Sequence, residues 1–324
     1  MKAAVCTRYG PPEVVQIREV PTPVPADDEV LVVAEATTVN SGDARMRALR
    51  VPRGMRVPVR LKVGMTRPKQ PVFGFDTAGR VEAVGNAVTR FRRGDRVLAS
   101  RGFDFGCHAE RVVVGEQDAI AAIPDALTCR DAVALSFGGT TARYFFERGR
   151  LAAGESVLVN GASGAVGTMA VQLAKHLGAE VTGVCSGANA ELVAGLGADH
   201  VIDHTAEDFT ANGRRYDVIM DNHGNAPYGR VKGSLAPGGR FLMVIGDLWQ
   251  MLAGSRQTAV IDGTPDDAAT LADSYRALLS LAEGGELRPV IDSVLPFEQI
   301  VEAHRRVDSG HKVGSLVLTF GGGS

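Results

Sequence analysis

Six consecutive residues, Ala162, Ser163, Gly164, Ala165, Val166 and Gly167, form an A-x-G-x-x-G pattern, whose chemistry is the holding of a phosphate by bare backbone. A pyrophosphate can rest on the free N–H groups at a helix start only where no Cβ stands in the way. Gly164 meets that condition, while Gly167 lets the helix lie close on the preceding strand. The flanks suit this use. Residues 157–159 are a short apolar run, β-branched at both ends, and read as a buried strand. Ala170, Val171, Leu173, Ala174 and Leu177 recur at helical spacing up to Gly178, and residues 181–185 read as a second strand. Strand, turn, helix and strand within about thirty residues is the size of one dinucleotide-binding βαβ unit. The first glycine of the usual fingerprint is Ala162 here, with Gly161 just before it.

The end of the second strand decides which dinucleotide is favoured. An NAD-specific site places Asp or Glu there to accept the ribose hydroxyls. This chain has Cys185, Ser186, Gly187, Ala188 and Asn189, with no carboxylate. Ser186 can donate to a 2′-phosphate, so NADPH is expected in preference to NADH. Alternatively Ser186 merely caps the helix that follows. Further on, Asn222, His223 and Gly224, and then Gly246 and Asp247, follow two strand C-ends, the edge at which parallel sheets bind ligands. Asn222 and His223 serve equally well as turn residues.

Composition bounds the rest. With 324 residues, 45% of them hydrophobic, the chain can bury a large core and suggests about two domains. Thirty-five basic against 37 acidic residues leave a formal charge of −2, with both signs scattered, so neither nucleic acid nor a membrane is expected as a partner. The N-terminal residues lack the apolar core of a signal peptide, and a cytoplasmic location is expected. Cys6, Cys107, Cys129 and Cys185 are far apart, with no C-x-x-C, and suggest reduced thiols.

These sites need elements to position them. The first 125 residues are β-rich, in short segments at 2–6, 14–17, 30–36, 79–84, 96–99 and 109–114, punctuated by Gly, Pro and Asp. Residues 46–70 predict a long loop or a short helix with a loop. Helices are expected over 131–135 and 144–148, separated by Gly138 and Gly139, with Thr141 as an N-cap after the glycines. Strands at 200–203, 216–221 and 240–245 alternate with helices, which implies a parallel, doubly wound sheet. Residues 248–265 suggest a mobile loop, 267–282 an amphipathic helix, and 290–293 and 316–320 strands around a helix over 297–308. Residues 321–324 read as a frayed end.

Together with residues 71–85 (PVFGFDTAGRVEAVG), 91–97 (FRRGDRV) and 195–203 (GLGADHVID), the stretch NGASGAVGTMAVQLAKHLGA resembles the medium-chain dehydrogenase/reductase superfamily in its zinc-free quinone oxidoreductase branch. The likeness covers nearly the whole chain. It implies an α/β protein in which residues 1–125 form a GroES-like β-barrel catalytic domain, 126–265 a Rossmann domain, and 266–324 a return to the catalytic domain. Where zinc-dependent relatives place cysteine, histidine and cysteine, this chain has Asn40, Phe75 and Phe137, so no metal is expected. By the same resemblance Thr141 lies against the nicotinamide, and Asn40, Asp43 and Thr141 lie near the transferred hydride, unless Asp43 only caps a turn. The loops at Asn222, His223 and Gly246 would flank the nicotinamide and its ribose. His204 replaces a tyrosine of the relatives' phosphate site and would supply positive charge there when protonated. A homodimer is implied through an edge strand of the nucleotide domain, for which residues 240–245 are the candidate. The implied activity is NADPH-dependent, zinc-independent hydride transfer to a small molecule, a quinone or an α,β-unsaturated carbonyl. The alternatives are an alkenal or enoyl reductase with little quinone activity, and an NADP(H)-binding relative without turnover.

Overall fold

The computed structural model describes residues 1–51, 56–246, 260–261 and 267–321. In chain order, β1 (Lys2–Cys6), β2 (Val15–Glu19) and β3 (Glu29–Thr38) are followed by α1 (Ser41–Ala48) and α2 (Arg56–Val63). Then come β4 (Asp76–Val84), β5 (Arg96–Ser100), β6 (Arg111–Gly115), β7 (Ala119–Ala122) and the long helix α3 (Cys129–Gly149). An alternating run follows: β8 (Ser156–Asn160), α4 (Ala165–His176), β9 (Glu180–Cys185), α5 (Ala190–Gly195), β10 (His200–Asp203), β11 (Tyr216–Asp221), α6 (Tyr228–Val231), β12 (Leu235–Met243) and β13 (Val260–Ile261). The chain ends with α7 (Ala268–Glu283), β14 (Ile291–Pro296), α8 (Ile300–Asp308) and β15 (Ser315–Thr319). No described helix is long and apolar enough to cross a membrane.

Among the described residues, one compact unit gathers 1–51, 56–137 and 267–321, and the other gathers 138–246 with 260–261. The first division falls between Phe137 and Gly138, inside α3, and not at 125/126. Side chains explain the shift. In the first half of α3, Ser136 Oγ donates to Asp76 Oδ2 at 2.8 Å, and Ala134 O accepts from Ser315 Oγ at 2.8 Å, both within the first unit. In the second half a Cβ on Gly138 would stand 2.1 Å from Ala165 O, so bare backbone is needed for contact with the start of α4. Gly138 therefore allows a close approach, and neither it nor Gly139 breaks the helix. One continuous helix replaces the two expected, and Thr141 lies in its interior, not at an N-cap position.

The first unit is a seven-stranded sheet in the order β14-β15-β3-β4-β5-β7, with β6 also paired to β3, and a β1-β2 hairpin beside it. β3, seven of whose ten residues are β-branched or alanine, is paired with three strands and mostly buried. It ends at Thr38, two residues before Asn40, so the sheet fixes where α1 starts. β7 was missed by the sequence reading because its four residues, AIAA, show no alternation. α7 buries Leu271, Tyr275, Leu278 and Leu279. Each buried leucine contributes about 1.5 to 3 kcal/mol relative to exposure.

The second unit is a six-stranded parallel sheet in the order β10-β9-β8-β11-β12-β13. That order reverses direction between β8 and β11, whose last residues, Asn160 and Asp221, are register partners. Ligands of such sheets sit in the crevice beyond this point. Pro237, Gly238 and Gly239 fall inside β12, where its ladder with β11 shifts register. Residues 240–245 are not at the edge: β12 lies between β11 and β13, and β13 is the outermost described strand on that side of the sheet. Apart from Val260 and Ile261, the expected loop 248–265 lies outside the described residues, as do Asp247 and residues 322–324.

Candidate active site

In the first unit, Asn40 is the N-cap of α1 and forms a capping box with Asp43. Asn40 Oδ1 accepts from Asp43 N at 3.1 Å, and Asp43 Oδ2 accepts from Asn40 N at 3.0 Å. The other oxygen, Asp43 Oδ1, accepts from Gly74 N at 3.2 Å. Asp43 is fully buried, and burial pushes its carboxyl up to about 8 against the pull of these amides. Nearby, His108 Nε2 is 2.9 Å from Thr38 O and 3.9 Å from Asp43 Oδ2. Burial holds this imidazole down to about 4, so it is neutral and donates to the carbonyl. Asp43 thus pins α1 to the 74–75 loop and has no open side toward a ligand.

Asn40 is different, because its Nδ2 is buried and has no hydrogen-bond partner among the described residues. Beside it stands Phe75. A Cβ on Gly42 would meet Asn40 Oδ1 at 2.9 Å and Phe75 Cε2 at 3.0 Å, so glycine lets the first turn of α1 press on both. Phe75 also meets Phe103, Phe105 and Phe137 with ring centroids 5.7, 5.0 and 6.1 Å away. Below it, Asp76 accepts from Tyr275 Oη at 2.7 Å as well as from Ser136. Burial raises the Asp76 carboxyl, and it raises the Tyr275 hydroxyl well above the ordinary tyrosine value.

In the second unit, β8 runs into Gly161, whose φ of +81° suits glycine, and Gly164 becomes the N-cap of α4. The two fingerprint glycines differ sharply. A Cβ on Gly164 would find only Gly161 O, at 3.6 Å, whereas one on Gly167 would collide with Gly161 O at 2.0 Å and Ala162 Cα at 2.6 Å. Gly164 keeps space open outside the helix; Gly167 closes helix on strand. Ala162 is buried, Ser163 is half-buried, and Ala165 and Val166 form the first turn of α4. Thr141 is one helical turn beyond Gly138, the residue that touches Ala165.

At the end of β11, Asp221 organises the next loop. Its oxygens accept from His223 N and Gly224 N, each at 3.0 Å, from Ala226 N at 3.2 Å and from Asn160 Nδ2 at 2.8 Å. Asn222 donates its own N–H to Asn160 O, while both polar atoms of its side chain are buried without a partner among the described residues. His223 is exposed, and Gly246 is buried against Met243. At the end of β9, Asn189 Nδ2 donates to Ser186 Oγ at 3.1 Å and to Ser163 Oγ at 3.2 Å. His204 is exposed one residue beyond β10, its N–H bonded to Cys185 O.

These residues fit a nicotinamide dinucleotide: there is open space at Gly164, an amide at Asn222 without a partner among the described residues, and two hydroxyls, Ser186 at the end of β9 and Ser163 in the Gly-rich loop, joined through Asn189. They do not fit zinc. Asn40, Phe75 and Phe137 offer neither thiolate, imidazole nor carboxylate, and no group of three potential ligands occurs among the described residues. Asp221, Asn160, Asn189 and Tyr275 were not singled out as site residues from the sequence, because each acts through partners distant in the chain or misses any motif.

The GroES-like domain of alcohol dehydrogenases matches residues 26–152, and a zinc-binding dehydrogenase family model matches residues 196–318. Mouse quinone oxidoreductase is 30% identical, with 98% of this chain and 97% of that protein covered. The NADPH-dependent alkenal/one oxidoreductase of Arabidopsis thaliana is 28% identical, with 98% and 79% covered. The solved quinone oxidoreductase of Coxiella burnetii superposes with a TM-score of 0.86 at 26% identity, over 98% of this chain and 99% of that one. The two sheet orders and these likenesses converge: the chain belongs to the medium-chain dehydrogenase/reductase superfamily, in its quinone oxidoreductase-like branch.

Proposed function

We propose that the chain is a zinc-independent, NADPH-dependent reductase of quinones or α,β-unsaturated carbonyls, acting as a cytoplasmic homodimer. The observation that carries this reading is the Asn40 amide, whose N–H donor is buried with no partner among the described residues, on a side chain that shares the first turn of α1 with the Phe75 ring. Leaving such a donor unpaired costs about 1 to 3 kcal/mol, a cost that an acceptor oxygen relieves. In a quinone or enone the incoming negative charge spreads over the π-system, so a few hydrogen bonds can stabilise it, with bulk water supplying the proton. A simple ketone lacks that help and depends on a stronger Lewis acid.

When bound, the reduced nicotinamide supplies a hydride from C4. The chain's own groups supply placement. Gly164 leaves the α4 amides open to the pyrophosphate, Asn222 offers an amide at the switch point of the sheet, and Ser186 offers a hydroxyl for the 2′-phosphate. Thr141, carried on α3 a turn beyond the contact with α4, is assigned to the nicotinamide. The likeness to an NADPH-dependent alkenal/one oxidoreductase and to quinone oxidoreductases supports both the cofactor and the acceptor class.

The test is NADPH oxidation against a panel of quinones, enones and alkenals, with product identification and with chelator present. Turnover of quinones unaffected by chelator is the expected result. Turnover confined to alkenals or enones would make the chain an alkenal or enoyl reductase. Stoichiometric binding without oxidation would make it a cofactor-binding protein. Efficient ethanol or cyclohexanol oxidation, lost with chelator and restored by zinc, would overturn the proposal.

A further inference from the structure

Two polar residues at cap positions near the end of β9 do not cap. Ser186 precedes a short 3-10 turn and Asn189 precedes α5, yet neither side chain bonds to the backbone of the helix it introduces. The alternative reading of Ser186 as a plain cap therefore fails. Instead, the Asn189 amide reaches the Ser186 hydroxyl and, across to the Gly-rich loop, the Ser163 hydroxyl. All three residues are half-buried, at the surface where the adenosine end of a dinucleotide would lie.

The direction of these bonds matters. A serine hydroxyl has one O–H donor and two lone pairs, while an amide NH₂ has donors only. Because Asn189 donates to both oxygens, each hydroxyl keeps its proton for another acceptor. We propose that Asn189 is a positioning residue that sets Ser163 and Ser186 as a pair of outward donors and so selects the 2′-phosphate of NADPH, a group with acceptors only. The proposal rests on the cofactor reading above. A carboxylate is also nearby: a Cβ on Gly187 would meet Asp203 Oδ2 at 2.5 Å. Its other oxygen, Oδ1, accepts from Thr205 N at 2.9 Å and Thr205 Oγ1 at 2.8 Å, and the Gly187 amide also bonds to the carboxylate, so these donors rather than the serine hydroxyls satisfy it. With no Lys or Arg in residues 176–213, oriented hydroxyls, joined by His204 when it is protonated, are the local groups that can provide the recognition a cation would give elsewhere.

Asn189→Asp reverses the polarity at constant shape. The carboxylate accepts from both hydroxyls, which then present lone pairs to the ligand, suited to a ribose diol and opposed to a phosphate. Calorimetric titration of the full chain with 2′,5′-ADP and with 5′-AMP reads this directly, without turnover. The wild-type chain should bind 2′,5′-ADP more tightly, by about tenfold or more. In Asn189→Asp that ratio should fall by about tenfold or more, with 5′-AMP binding little changed, and in Asn189→Ala by less. A ratio unchanged in Asn189→Asp overturns the inference while leaving the NADPH reading intact. Both ligands weakening in parallel in Asn189→Asp and Asn189→Ala marks Asn189 as merely structural and also overturns it. A wild-type chain indifferent to the phosphate overturns the NADPH reading and the inference with it.

Discussion

Tyr275 donates its hydroxyl to Asp76 at 2.7 Å across 199 residues of sequence, joining the returning helix α7 to the first residue of β4, directly behind Phe75. The contact is dry, since both side chains are buried, and Ser136 shares the same carboxylate. Tyr275→Phe removes one of its donors and little volume. The variant is expected to lose about 1 to 3 kcal/mol, read as a lower urea midpoint at unchanged slope. A loss of less than a few tenths would show that the bond is not made in solution.

The two fingerprint glycines should separate stability from binding. Gly167→Ala puts a methyl into Gly161 O and is expected to destabilise by about 1 to 3 kcal/mol and to weaken the dinucleotide as well. Gly164→Ala has room in the empty fold, so its melting temperature should hold while NADPH affinity falls about tenfold or more. Equal melting temperatures for the two variants would contradict the geometry.

Asn40→Ser keeps an oxygen at the N-cap and deletes the amide donor, so α1 should persist while the acceptor oxygen loses its partner. We expect kcat/KM for a quinone to fall by about a hundredfold, with a melting temperature near that of the wild type. Full activity in this variant would remove Asn40 from the reaction.

Asp43 carries a pH signature. Its folded value of about 8 lies above the unfolded carboxyl value of 3.8, so between those limits the folded chain holds a proton that the unfolded chain has released. This contribution is therefore fully present below about pH 4 and is lost as pH rises toward 8. Urea denaturation between pH 5 and 8 should show Asp43→Asn with a flatter profile than the wild type. Identical slopes would place the Asp43 carboxyl in a wetter site than the structure gives it.

Pairing of two copies should use the outer edge at β13, because β12 is already bonded on both sides. Light scattering at micromolar concentration should return about twice the 34.1 kDa chain mass. A mass near the single-chain value would leave the chain a monomer.

What the sequence made legible was local. The Gly-rich turn sits with its strand and helix inside one short window, and the periodic core of α7 was readable from its leucines. Gly138 and Gly139 misled because a glycine pair signals a helix break unless a neighbouring backbone demands the space, and that neighbour, Ala165, lies 27 positions later. Asp76 and Tyr275 could not be paired from sequence, since nothing local marks a carboxylate 199 residues away as a partner. Asn189 sat in view among the small residues after Ser186. Its two-way bond appears only when the ends of β8 and β9 lie side by side.

The pairing of β15 with β3, which sets Val317 opposite Thr38, bears on how the protein is made. The parallel sheet draws its described strands from the continuous span between residues 156 and 261, so it can assemble while the ribosome is still adding the C-terminal part. The first seven strands emerge earlier yet must wait, with one side of β3 unpaired over residues 36–38, until residues 315–319 arrive. A chain halted shortly before β15 would thus carry a finished parallel sheet together with a first unit whose β3 keeps a bare strand edge, a natural handle for chaperones during synthesis.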